Sequence, residues 1–203
     1  MKFKYPNFKP ELGNLTHKFR EEFLEQKIKE GKLNSTLAFV DDKIYGLIAS
    51  NNITDKIYFW QLYSILGEDP VHILIKRFYE NIFNDSDAEW FRSEFIEIGD
   101  VDFHVIGQKK FWIDVMGGGK KYIGGEKRLN IKHKFVKNIM TKEGADRWMM
   151  HMNNTLQELN LHFIHDKRII PCIDEFLNFF MKKYAIEFDF NIYDIITNKQ
   201  SKL

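Results

Sequence analysis

Apolar residues recur along most of this chain at helical rather than alternating spacing. Leu15, Phe19, Phe23 and Leu24 predict a helix over about residues 14–30. "STLAFVDDKIYGLIAS" reads differently, as two short β-prone runs around Asp41-Asp42 and thus a candidate hairpin. The polar stretch Ala49 to Asp55 breaks the pattern and suggests a boundary. From Ile57 onward the period is helical again. Val71, Leu74, Ile75, Phe78 and Ile82 form one stripe, with Pro70 in the first turn. A second helix is expected over 101–116, stopped by Gly117. A third is expected over 141–159, with Trp148, Met152, Leu156 and Leu159 on one face. A fourth starts at Pro171 and carries Ile173, Phe176, Leu177, Phe180, Met181 and Tyr184. The fold class expected is all-α, preceded by an extension of one helix and a short hairpin.

Composition narrows the options. The 203 residues are 44% apolar and include 19 phenylalanines, enough for one substantial core. Thirty basic residues against 29 acidic ones give a formal charge of +1, which makes no general case for nucleic acid or an anionic membrane as partner. Cys172 is the only cysteine, so no disulfide forms within the chain and a reducing compartment is the easier reading. Pro6 and Pro10 interrupt the N-terminus where a signal peptide needs an apolar run, and no stretch reaches the roughly 18 apolar residues of a membrane span. A cytoplasmic location is expected.

The segment "MGGGKKYIGGEKRLNIKHKF", Met116 to Phe135, invites a phosphate-cradle reading. It fails on position. With Gly119-Lys120 as the Gly-Lys pair of a Walker loop, Asp114 occupies the first glycine and Lys121 the hydroxyl position. The dinucleotide fingerprint fails at Tyr122, and a helix rather than a strand precedes the glycines. His133 closes the segment between Ile131 and Phe135. Its imidazole is either a packed, hydrogen-bonded side chain or an axial ligand to a metal or haem. His104 and Gln108 lie four apart on the helix over 101–116, and Phe111 and Val115 continue their face. That face is either a half-exposed helix edge or the polar lining of an apolar pocket. Tyr79 and Trp148 each bring a donor to an apolar helix, where a core position is the commoner reading. His162 and His165 in "HFIH" read as a solvated pair rather than a metal pair.

The order of these motifs resembles the truncated haemoglobins, most closely their group II branch, over about residues 60 to 160. "LYSILGEDPVHILIKRFYENIFND" resembles the family's opening segment and the helix that ends in Phe-Tyr. "FWIDVMGGGKKY" resembles the end of its E helix, "RLNIKHKF" its proximal segment, and "DRWMMHM" the Asp-x-Trp stretch of its G helix. The resemblance implies a 2-on-2 helical sandwich holding haem b, with the haem domain at 58–165 between an extension at 1–57 and a C-terminal helix and tail at 166–203. It places His133 on the proximal iron ligand, and Tyr79, Gln108 and Trp148 on distal donors. His104 falls on the first distal position and Phe111 on the same face. Phe95, or Phe91 on an ungapped count, falls on the corner residue that packs on the haem. Tyr122, Arg128 and Lys132 fall near the propionates, with Phe135 beside the proximal histidine. Lys132 stands where the group II pattern has arginine, the proximal loop lacks the usual proline, and a distal histidine is less typical of the branch.

The resemblance further implies binding of O₂, NO or CO. Several distal donors suit NO detoxification or peroxide and O₂ chemistry, with a reductase as the partner implied, better than transport. The alternatives are a haem-based gas sensor and a globin-fold interaction protein without haem.

Overall fold

The structure, a computed structural model, describes residues 14–31, 57–159 and 166–191. Among them are eight α-helices and no strand. The helices are α1 (Asn14–Lys29), α2 (Leu62–Leu66), α3 (Glu68–Phe83), α4 (Glu89–Ile98), α5 (Val101–Val115), α6 (Gly125–Phe135), α7 (Lys142–Glu158) and α8 (Ile169–Glu187). Short 3-10 turns at Phe59–Gln61 and Lys137–Ile139 precede α2 and α7. The candidate hairpin, the break at 49–55 and the "HFIH" pair lie outside the described residues.

The expected stripe on α3 is its buried face: Val71, Leu74, Ile75 and Ile82 have no exposed surface. This face packs chiefly against α5 and also against α7. Asp100 caps α5 by accepting from the Phe103 amide at 2.8 Å, and Thr141 caps α7 by accepting from Gly144. The fourth helix begins at Ile169, two residues before Pro171. Proline is tolerated there because first-turn N–H groups have no partner inside the helix.

The exit of α5 explains the first glycines of the basic segment. The Gly117 N–H donates to the Asp114 carbonyl and the Gly118 N–H to the Ile113 carbonyl, a paired closure of the helix end. Gly117 has φ +85°, which a side chain disfavours. At Gly118 a Cβ would lie 2.5 Å from Ile113 Cγ2 and 2.8 Å from the Tyr63 ring. The segment beyond does not stay irregular. It becomes helix α6 at Gly125. Sparse apolar positions and the two starting glycines concealed it, and the Arg128 side chain supports its start by donating to the Ile123 carbonyl at 3.2 Å.

Two buried carboxylates fasten these elements. Asp114, 1% exposed, accepts the Lys121 and Tyr122 amides at 3.2 and 3.3 Å, and the Thr16 hydroxyl of α1 approaches both its side chain and its backbone carbonyl. Asp85, after α3, takes a bidentate bond from Arg147 and faces His151 Nε2 at 2.7 Å, both from α7. The Arg147 guanidinium holds the Asp85 carboxyl well below its ordinary range.

α1 is integral to the core. Phe19 and Phe23 bury their rings against Phe180 and Phe179 of α8 at 4.7 and 5.6 Å. Lys183 and Lys27 pair across the same joint with Glu22 and Glu175. No described helix is long and apolar enough to cross a membrane.

Candidate functional site

A cavity of about 140 Å³ opens where α3, α4, α5, α6, α7 and α8 converge. Phe91, Phe95, Phe111, Phe176 and Phe180 supply much of its apolar wall. Polar groups are few, and they come from α3, α5, α6, α7 and α8.

From α3, Tyr79 is 4% exposed and its hydroxyl has no hydrogen-bond partner among the described residues. Burial pushes its pKa well up, so the hydroxyl stays a donor at neutral pH. From α5, the His104 ring stacks on Tyr79 with centroids 5.1 Å apart. His104 Nε2 lies 2.8 Å from the Phe95 carbonyl. A carbonyl only accepts, so Nε2 carries the proton and is committed to α4. Burial pushes the His104 pKa down, against the weaker opposing pull of that carbonyl, which favours the neutral ring. His104 is therefore a buried wall of the cavity and not a half-exposed helix edge.

One turn along α5, half-buried Gln108 also lines the cavity, as does Trp148 of α7, whose ring packs on Phe78 at 4.8 Å. Neither the Gln108 amide nor the Trp148 N–H has a protein partner among the described residues. Three residues able to donate thus line one apolar space with no hydrogen bond among the described residues, Tyr79 buried and Gln108 and Trp148 half-buried.

From α6, His133 reaches the cavity in the last helical turn. Burial, assisted by Lys183, pushes its pKa down to about 4, so the imidazole is neutral at pH 7. Its Nδ1 is buried with no partner, and its Nε2 lies 3.1 Å from the Tyr184 hydroxyl of α8. Lys132 lines the same cavity while its ammonium sits 5.0 Å over the Phe103 ring. Desolvation and the neighbouring Arg128 lower the Lys132 pKa.

The structure thus brings together around the cavity Tyr79, Phe91, Phe95, His104, Gln108, Phe111, Lys132, His133 and Trp148. Phe91 and Phe95 do not compete for one place at a corner: they lie one turn apart on α4, and both reach the wall. Tyr122 and Arg128 do not line it. The buried Tyr122 ring packs on Phe111 at 5.7 Å, and the Arg128 guanidinium covers Tyr122 at 5.5 Å. The Phe135 side chain lies outside the described set. Sequence reasoning missed the role of α8, which contributes Phe176, Leu177, Phe180, Met181 and Tyr184 to the lining. They were read as ordinary core, and the one signal available was a tyrosine ending an otherwise apolar stripe.

No group of three or more His, Cys, Asp or Glu converges among the described residues. A single neutral imidazole facing an aromatic slot suits a metal already held in an organic ring, because the protein then supplies one axial ligand. The neutral His133 ring, with Nδ1 unpartnered among the described residues and Nε2 facing the Tyr184 hydroxyl, and the side chains of Tyr79, Gln108 and Trp148 fit such a group. An all-helical fold with these features defines a haem-pocket protein of the globin class. The family model for the bacterial-like globins matches residues 61–182, and the chain belongs to that family. No solved structure gives a significant match.

Proposed function

We propose that this globin is a group II-like truncated haemoglobin working in NO detoxification or in peroxide and O₂ chemistry rather than in O₂ transport. Haem, when bound, supplies an iron centre that takes O₂, NO or CO and exchanges electrons with them. In this reading neutral His133 would ligate the iron, Phe91, Phe95 and Phe111 would hold the ring, and Lys132 would offer a cation to a propionate. Lys132 is a point charge and lacks the two-pronged pairing of arginine.

The observation that carries the reading is the set of three side chains able to donate, Tyr79, Gln108 and Trp148, which line the cavity that His133 lines and have no hydrogen bond among the described residues. Donors held in a dry pocket favour ligands on which negative charge develops. A hydrogen bond to a charged group is worth about 1.5–3 kcal/mol, so two would slow ligand release about 10²–10⁴-fold. Release that slow is unsuited to delivery and suited to chemistry.

An absorption spectrum of the full chain titrated with haem tests the cofactor; absence of a Soret band sinks the proposal. Mixing the O₂-loaded protein with NO tests the activity, and nitrate is the expected product. A haem-free globin is the second reading. It is favoured by the Tyr184 hydroxyl beside His133 Nε2, which already engages one of the two ring nitrogens able to ligate iron. The same titration separates the two.

A further inference from the structure

The chain is almost neutral, but its charge is not evenly spread. Between Lys109 and Lys137 stand nine lysines and arginines against two acids, Asp114 and Glu126, and Asp114 is buried. The remainder of the chain is correspondingly acidic. Among the described residues, Lys110, Lys120, Lys121, Lys127, Lys134 and Lys137 enter no ion pair. Bare apolar side chains lie within this basic ground. Phe103 and Ile106 of α5 are 49% and 59% exposed, Ile131 of α6 is 46% exposed, and Ile123 before α6 is 74% exposed.

These side chains form one surface. Phe103, Ile131, Arg128 and Lys132 line a common groove, Ile106 lies one turn from Phe103, and Arg128 bonds the backbone of Ile123. Lys132 lines both this groove and the internal cavity, so the surface borders the cavity mouth. Glu94 and Glu97 of α4 also line the groove. A bare apolar centre with a charged rim is the anatomy of a protein docking site.

We propose that this surface docks an acidic electron-donor protein, a ferredoxin or flavodoxin type, which reduces the haem iron through the exposed edge of the pocket. The inference rests on the haem-binding reading above. The basic rim complements an acidic partner and steers its approach. The carboxylates of Glu94 and Glu97 oppose an anionic bilayer, while a protein face can present them with its own cations. In the step, one electron leaves the donor's reduced iron–sulfur cluster or flavin and reduces ferric iron to ferrous. The donor is oxidised by one electron, and no bond is made or broken.

The test uses the full haem-loaded chain and a reduced plant-type ferredoxin as probe, mixed by stopped flow at low and high salt. Lys110→Glu combined with Lys127→Glu alters the rim, and Ile106→Ser combined with Ile131→Ser alters the centre; none of these residues lines the cavity. Each pair should lower the second-order reduction rate about tenfold or more, and the wild-type rate should fall steeply with salt. Calorimetric binding of oxidised ferredoxin to the haem-free chain should weaken in parallel. Dithionite reduction should be unchanged in every variant, which separates a failed docking site from a failed haem site. Equal ferredoxin rates in wild type and both pairs overturn the proposal. So does a result in which the variants lose only binding to phosphatidylserine vesicles, or only self-association in the ultracentrifuge.

Discussion

The Tyr184 hydroxyl sits 3.1 Å from His133 Nε2, with the two rings nearly perpendicular at 87°. This contact joins the last turn of α6 to α8 and, under the proposed ligation of haem by His133, would compete with iron for Nε2. Tyr184→Phe should therefore raise haem affinity roughly fivefold, the equivalent of about 1 kcal/mol released from competition. Urea unfolding of the haem-free variant should show a loss of similar size. An affinity unchanged or weakened would mean that the tyrosine does not compete with haem.

Burial of His133 makes a pH prediction for the haem-free protein. Its folded pKa of about 4 lies below the ordinary 6.5, so the unfolded chain binds the proton more readily. Stability should be full above about pH 6.5 and fall as pH drops toward 4, where the contribution is exhausted. The amplitude is on the order of 3 kcal/mol. His104, also pushed down by burial, acts in the same direction. Urea melts between pH 4 and 7 should lose part of this slope in His133→Leu; an identical slope would place the titration elsewhere.

Removing one cavity donor should accelerate ligand release. Tyr79→Phe takes away a buried hydroxyl without changing the packing against Phe78 and His104. The O₂ dissociation rate, read by flow mixing, should rise about 10- to 100-fold, as expected for one hydrogen bond to a charged group. Trp148→Phe should act in the same direction, and no change in either variant would leave the distal role unsupported.

Asp85 is an anchor that does not itself line the cavity. Asp85→Ala strands Arg147 and His151, and should cost about 3–5 kcal/mol in chemical denaturation. Its folded pKa is depressed, so the wild-type contribution is present above the ordinary carboxylate range and lost as pH falls below it. The variant should be correspondingly less sensitive to acid. A loss under 1 kcal/mol would show the network to be solvent-screened.

Much of this architecture was legible because burial follows period. The α3 stripe from Val71 to Ile82 was readable as a face, and it is the face that packs on α5. The glycine exit of α5 was readable because few residues other than glycine accept the conformation at Gly117. Helix α6 was not, since its polar sequence contains no stripe and its fold depends on contacts such as Arg128 over Tyr122. At the candidate site, residues close in sequence were easier to place than those brought in from α8. His104 and Gln108 announce a shared face by their spacing, whereas Tyr184 meets His133 across 51 positions. Nothing local distinguishes it from a core tyrosine. The sequence offers Phe91 and Phe95 as alternatives for one place, and only the helix shows them one turn apart on the same wall.

The Thr16–Asp114 contact has a genealogical consequence. Asp114 receives amides from the segment leading into α6 and a hydroxyl from the N-terminal helix, so the two parts share one buried acid. Burial raises the cost of its charge, and each donor offsets some of that cost. A descendant that discarded its first thirty residues would inherit a carboxylate with one donor fewer. Threonine and aspartate should therefore be kept together or lost together, and a pair of changes at these positions would date the shedding of that helix.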